Sequence, residues 1–571
     1  MKQPNYLDYC TEEIEELFGK YQDSVIKAIV KRIIKYGDVT PSTIEQFNIL
    51  QESGLVYDDI LNAITEYSVI AKELVSKAYN NACLECISYD NALYSKVDMD
   101  KTINVSPAVK QIVDAAIKKT NGNLQNITMT TAEASQQKFI DACSIAEMQI
   151  STGAFDVNTA IRQAIEYAIQ DGVSVKYYDE DTGEVTATRN IVSAVRTAVL
   201  TGVSQTTGEI VFQNALDMGT DIIELSAHIG ARPSHAVWQG KLVCISDRKT
   251  NYLTLADIGY GEIDGYKGIN CRHYGFAFIE GVSKRVYTDK ELEEMATKTV
   301  TYNGNEMPVY EANKRQRAME RKIRTEKSEL VGFNESIRLA KESGNKELAD
   351  DLQISFDNLS VKLKKHEAIY KDFCKQTGFP ELTERLQYTG FNRSVSQKAY
   401  NSANKHYKDW SKSIGAENVA ESLAKYYDMK YNNPKEYALL EGYSNAIKKG
   451  EISPLVGFDL YQKTAEKIEN ELLNLTTVDG VNIFDYHSHF VNRVIGQVES
   501  PHKGKRQGTP IEDVKEALIF GQVGKDHYRK VKRGTEIFED QRRTYTGKKA
   551  KVTVSITEGK IIQTNPRKEQ E

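Results

Sequence analysis

The sequence predicts a mainly α protein with a small α+β core and a C-terminal α+β domain built on a small antiparallel sheet. Three observations predict it. Apolar residues recur at three- and four-residue steps over most of 5–170, 311–376 and 395–475, the period of helices with one buried face. Strand-like alternation is confined to short stretches, chiefly 173–190 and the finish GTEIFED, KVTVSI and KIIQTN. Between them, 223–278 is dense in Gly, His and aromatic residues, as in loops that approach closely and carry side-chain chemistry.

At 571 residues the chain exceeds what one hydrophobic core serves. Five segments are expected. Residues 1–215 form a helical arm in which IEELFGKYQDSVIKAIVKRIIKYG runs to a stop at Gly37, similar segments start at Thr43 and Asp58, and a hairpin near 173–190 turns at Asp181–Gly183. Residues 216–300 form the α+β core, with IIELSAHI and KLVCIS as strands after a helix around Ile191–Leu216. Residues 301–380 hold a short hairpin, VTYNGNEMPVY, and one long helical arm from Glu311 to about Gln376. Residues 381–476 read as a helical linker domain. Residues 477–571 read as a helix FDYHSHFVNRVIGQVE, a basic loop, a capped helix at Thr509–Phe520, and then strands.

Composition narrows the function classes. No apolar run approaches the roughly 20 residues of a membrane span, and the acidic start MKQPNYLDYCTEEIEELFGKY lacks the pattern of a signal peptide, so a cytoplasmic origin and no membrane partner are expected. Seven scattered cysteines do not make a disulfide framework, and Cys83 and Cys86 in NACLECI read as small buried residues of a helix. The net charge of -6 is uneven: residues 501–571 hold 17 Lys/Arg against 10 Asp/Glu, a balance of +7, which leaves -13 on the rest. A basic tail on an acidic body points to a polyanion partner for the tail.

Within 223–278, HIGARPSHAVWQGK is followed by GYGEIDGYKGINCRH. His228, His235, Cys271 and His273 are suitable zinc donors and make up the required number. Cys271 and His273 are nevertheless closer in sequence than zinc ligands usually stand, which favours hydrogen-bonded core and loop residues, with no metal and no cofactor. Arg232 is expected to pair with Glu224 or Asp264. On these two motifs the chain from about Tyr6 to Tyr287 resembles the phage minor capsid protein 2 family, relatives of the Mu F-type head morphogenesis proteins. The resemblance implies a virion component made in the host cytoplasm and present in few copies. It would sit inside the head near the portal, with portal and capsid proteins as partners and no catalysis in the body.

At the other end His489 and Arg493 are four apart and share a helix face. HxxxR, a helix, and a small antiparallel sheet closing on Thr564 together resemble the barnase/EndoU/colicin/RelE-type ribonuclease fold, found as toxin tails on phage head proteins. That resemblance implies His489 as base or acid, Arg493 as phosphate clamp and Thr564 as donor to a phosphoryl oxygen. Lys505, Arg506, Arg529, Lys530, Lys532 and Arg533 would hold the RNA backbone by charge. An immunity protein is a further expected partner. A second reading stands beside it: an inert tail that contacts packaged DNA, with His489 and Arg493 in structural roles. His487 and His502 compete for the catalytic place.

Overall fold

The computed structural model describes residues 6–35, 49–97, 102–179, 182–248, 251–413, 423–453, 455–497, 506–533 and 536–567. The five expected segments fall into two compact units, one ending at Ala399 and one beginning at Tyr400.

The first unit is helical around a short sheet. Helix Glu12–Lys35 buries Ile14, Leu17, Phe18, Tyr21, Val25, Ile26 and Ile29, a stripe that follows the three- and four-residue spacing. Helix Ile49–Tyr94 runs unbroken through Asp58, while Gly37 and Thr43 lie outside the described residues. Helix Pro107–Ser151 starts where Ser106 accepts the Val109 N–H and Pro107 occupies the first turn, which needs no donor there. Helix Val157–Ile169 presents Ala160, Ala164 and Ala168 in a row, so its neighbours approach closely. The expected hairpin is present as β1 (Ser174–Tyr178) against β2 (Val185–Asn190), with Gly183 at positive φ. Asn190 then caps helix Ile191–Asp217 by accepting from Val192.

The core sheet has the order β5–β4–β3–β6, from β3 (Ile222–Leu225), β4 (Leu242–Cys244), β5 (Leu253–Thr254) and β6 (Gly275–Ala277). All four residues of β3 are buried. A second hairpin, β7 (Thr299–Tyr302) with β8 (Asn305–Pro308), precedes the arm. That arm differs from expectation: it is two antiparallel helices, Val309–Glu342 and Lys346–Thr377. The break is chemical, since Gly344 takes φ +84 and Asn345 caps the second helix by accepting from Leu348.

In the second unit helix Arg393–Ser413 leads in, and helices Leu423–Asn432, Pro434–Lys448 and Phe458–Leu472 build a core with the later sheet. The expected helix FDYHSHFVNRVIGQVE is shorter. Asp485–Tyr486 is a strand, β9, and the helix is Ser488–Ile495, followed by the paired β10 (Gly496–Gln497) and β11 (Arg506–Gln507). After helix Ile511–Phe520 come β12 (Gln522–Val523), β13 (His527–Arg533), β14 (Glu536–Thr546), β15 (Ala550–Ser555) and β16 (Lys560–Pro566). The sheet runs β12–β14–β15–β16–β9, with β13 on the same edge of β14 as β12; only β16–β9 is parallel. Among the described residues no helix is long and apolar enough to cross a membrane.

Candidate functional site

In the second unit His489 lies on the first turn of Ser488–Ile495, where His487 at the cap accepts the His489 N–H at 3.1 Å through Nδ1. His487 is thus the capping residue, and burial lowers its pKa. The Nδ1 of His489 lies 3.2 Å from Glu451 Oε2, and its Nε2 accepts from Arg493 Nε at 3.0 Å. The tautomer follows: Nδ1 carries the hydrogen toward the carboxylate and Nε2 keeps its lone pair. Burial pushes the Glu451 carboxyl up, but hydrogen bonds from Asn492 and His489 outweigh it, and it ends below its ordinary value. His489, Glu451 and Arg493 are all partly exposed.

Thr564 does not join them. It is fully buried and its hydroxyl donates to the Lys551 carbonyl, which removes it as a donor to a phosphoryl oxygen. Side chains alternate along a strand, so the next residue of β16 faces the other way: Asn565 accepts from Arg493 at 3.0 Å. Arg529 and Lys530 are exposed on β13 but stand opposite Asp540 and Glu539. They lie three strands from β16, about 14 Å at ordinary strand spacing, so the sheet does not bring them to the histidine. Lys532 and Arg533 share that strand and Arg506 lies on β11, while Lys505 and His502 are outside the described residues.

The first unit holds the other cluster. Residues 255–274 fold back through a series of glycines, two of which leave no room for a side chain. A Cβ on Gly265 would stand 1.9 Å from the Gly259 carbonyl oxygen, and one on Gly268 would stand 2.3 Å from that of Glu262. This closure sets Cys271 and His273 beside His235, and all three are buried. His235 Nδ1 and His273 Nδ1 are 3.2 Å apart, and Cys271 Sγ is 3.7 Å from His273 Nδ1. The far nitrogens are engaged: His235 Nε2 with the Asp264 carbonyl at 2.8 Å and His273 Nε2 with Gln239 Oε1 at 3.3 Å. Trp238 packs on both rings, and His228 stacks on His273 at 4.6 Å between ring centres. Burial lowers the pKa of His235 to about 4, helped by Arg232, and pushes His273 well below its ordinary value.

Arg232 does not make the expected ion pair. It donates to the Ile269 carbonyl at 2.6 Å, while the Glu224 carboxylate, on the fully buried β3, accepts the N–H groups of Val286 and Tyr287. Cys83 and Cys86 are buried on their helix, as read. Residues that sequence reasoning passed over complete the region. Tyr274 donates to Asp90 at 2.9 Å and touches Cys86 at 3.3 Å, tying the core sheet to helix Ile49–Tyr94. Lys267 is fully buried over the Tyr266 and Tyr274 rings. Only its place inside the glycine series could have flagged it.

A profile of the family described as phage minor capsid protein 2 matches residues 3–366. The chain belongs to that family. A "structural protein" of Lactococcus phage LL-H is 25% identical over 203 residues, 33% of this chain and 54% of that protein. The chain therefore spans about half the length of the curated relative it matches. No solved structure matches.

The match contains the whole His235–Cys271–His273 cluster, which makes it part of the minor capsid body. The His489–Arg493 cluster of this minor capsid protein lies beyond the match, in the second compact unit.

Proposed function

We propose that this minor capsid protein sits inside the phage head beside the portal and carries in its second unit a metal-independent ribonuclease that travels with the genome. Family membership supports the virion placement. One observation supports the enzyme: a half-exposed histidine is oriented by a carboxylate on Nδ1, with an arginine and an asparagine beside it. On RNA, Arg493 would swing from His489 to a phosphate, freeing Nε2 to take the proton of the 2′-hydroxyl. The 2′-oxygen then bonds to phosphorus, the bond to the 5′-oxygen breaks, and the leaving oxygen is protonated by water. Glu451 holds the tautomer and stabilises the imidazolium, in the way a carboxylate serves a catalytic histidine elsewhere.

A second reading, an inert tail that contacts packaged DNA, is favoured by the basic strand β13 lying at the opposite edge of the sheet. Purified full-length protein incubated with RNA separates them. Cleavage is expected, falling about 10²- to 10⁴-fold in His489→Ala and also lost in Arg493→Ala; a folded wild type that leaves RNA intact sinks the enzyme. Placement is checked by mass spectrometry of purified virions and by cross-linking to the portal protein.

A further inference from the structure

The two buried histidines of the body face each other in an arrangement that hydrogen bonding within the chain resolves only in part: the Cys271 thiol can donate weakly to His273 Nδ1 at 3.7 Å, which leaves His235 Nδ1 facing an acceptor. His235 Nε2 meets a backbone carbonyl, so it must carry its ring hydrogen. His273 Nε2 meets Gln239 Oε1, and that atom is fixed as the oxygen because it also accepts the His228 N–H at 3.1 Å. Each neutral ring has one hydrogen, so each Nδ1 is a bare lone pair. These two lone pairs stand 3.2 Å apart, an acceptor against an acceptor. A proton could bridge them only by burying a cation among Trp238, Tyr266 and Cys271.

The third group is Cys271, whose sulfur is 3.7 Å from His273 Nδ1, and the donor atoms of all three residues lie within 4.8 Å of one another. A tetrahedral zinc ion with bonds of about 2.0–2.1 Å to nitrogen and about 2.3 Å to sulfur sets its donors about 3.4 Å (N to N) and about 3.6 Å (N to S) apart. The two measured edges fall within a few tenths of an ångström of those. The outer contacts match as well, since a metal-bound histidine ordinarily donates its other ring N–H to a carbonyl, carboxylate or water.

We propose that His235 Nδ1, His273 Nδ1 and Cys271 Sγ bind one divalent metal ion, zinc by its borderline nitrogen and sulfur donors, filling three of its four tetrahedral positions. The ion pins the loop after β3 to the glycine-rich loop before β6, a region with little regular secondary structure to hold it. The usual spacing rule for zinc ligands did not favour the site because it describes ligands brought together by a short local turn. Here the glycine series closes the distance between His235 and Cys271.

Full-length protein produced in zinc-supplemented medium should retain about one zinc per chain by elemental analysis. Replacing zinc by cobalt should give tetrahedral visible bands with a thiolate-to-cobalt charge-transfer band in the near ultraviolet. Cys271→Ser should abolish the charge-transfer band, and His273→Gln should lower zinc content at least tenfold, while circular dichroism shows the helices intact. Folded wild type that retains no zinc overturns the proposal, and so does zinc that survives unchanged in both variants. If both variants unfold, chelation of the wild type decides: a lower melting temperature restored by added zinc supports the site, and an unchanged one overturns it.

Discussion

The two histidine clusters of this minor capsid protein are held by opposite means. In the body, His235 comes from the one-turn helix Pro233–Ala236 and Cys271 and His273 from a loop, and the backbone itself brings them together through Gly265 and Gly268. In the tail, His489 and Arg493 sit one turn apart on a regular helix, and side chains alone, Glu451 and Asn565, fix their geometry. The first cluster is buried and inward-facing; the second is half-exposed. Histidine therefore serves different ends according to what surrounds it. Buried rings with both far nitrogens engaged are suited to ligation or packing, and an exposed ring with one lone pair free to uncover is suited to proton transfer.

The contrast can be broken first at the backbone. Gly268→Ala should cost about 3 kcal/mol or prevent folding of the first unit, because a Cβ would meet the Glu262 and Ile263 carbonyl oxygens at 2.3 and 2.5 Å. Thermal melting of the full chain checks it, and a shift within error of wild type would remove the backbone's claim on the body cluster.

A smaller effect sharpens how the body is tied together. Asp90 accepts from Tyr274 and Asn214, and burial raises its pKa from 3.8 to about 6. A carboxyl raised on folding stabilises the protein below its unfolded pKa, and that contribution fades as pH rises to about 6. The size is on the order of 2 kcal/mol. Asp90→Asn should flatten this dependence without collapse, since the unpartnered Asn214 Oδ1 can accept from the new amide after a flip. Denaturant unfolding of both proteins from pH 4 to 7 measures the difference; parallel curves would refute it.

Smallest is Gly344→Ala in the turn between the paired helices, expected to cost about 1 kcal/mol. Its φ is +84 but nothing lies within 4 Å of the added carbon. Set against Gly268, it separates strained dihedral from lost space.

Much of this was legible. The helices, both hairpins and the final strands follow from period, and His489 with Arg493 from spacing. The family was carried by two motifs in the body, and the profile bears it out. What escaped has physical reasons. Glu451 stands 38 residues before His489, and local pattern cannot announce such a partner. Thr564 was misplaced by one position, which on a strand means the opposite face; Asn565 meets the arginine instead. The break at Gly344–Asn345 was written in the sequence, but a strong amphipathic period on both sides hid it. The convergence of His235 on Cys271 and His273 depends on the whole glycine loop, and spacing rules for local turns do not describe that.

Each unit has its own core, one drawn from residues up to Ala399 and the other from Met429 onward, with helix Arg393–Ser413 spanning the boundary. Because the family match stops at 366, a chain break within that helix would exchange the second unit while leaving every matched residue in place. The same position is where an engineer would graft a fluorescent or enzymatic cargo onto the capsid body.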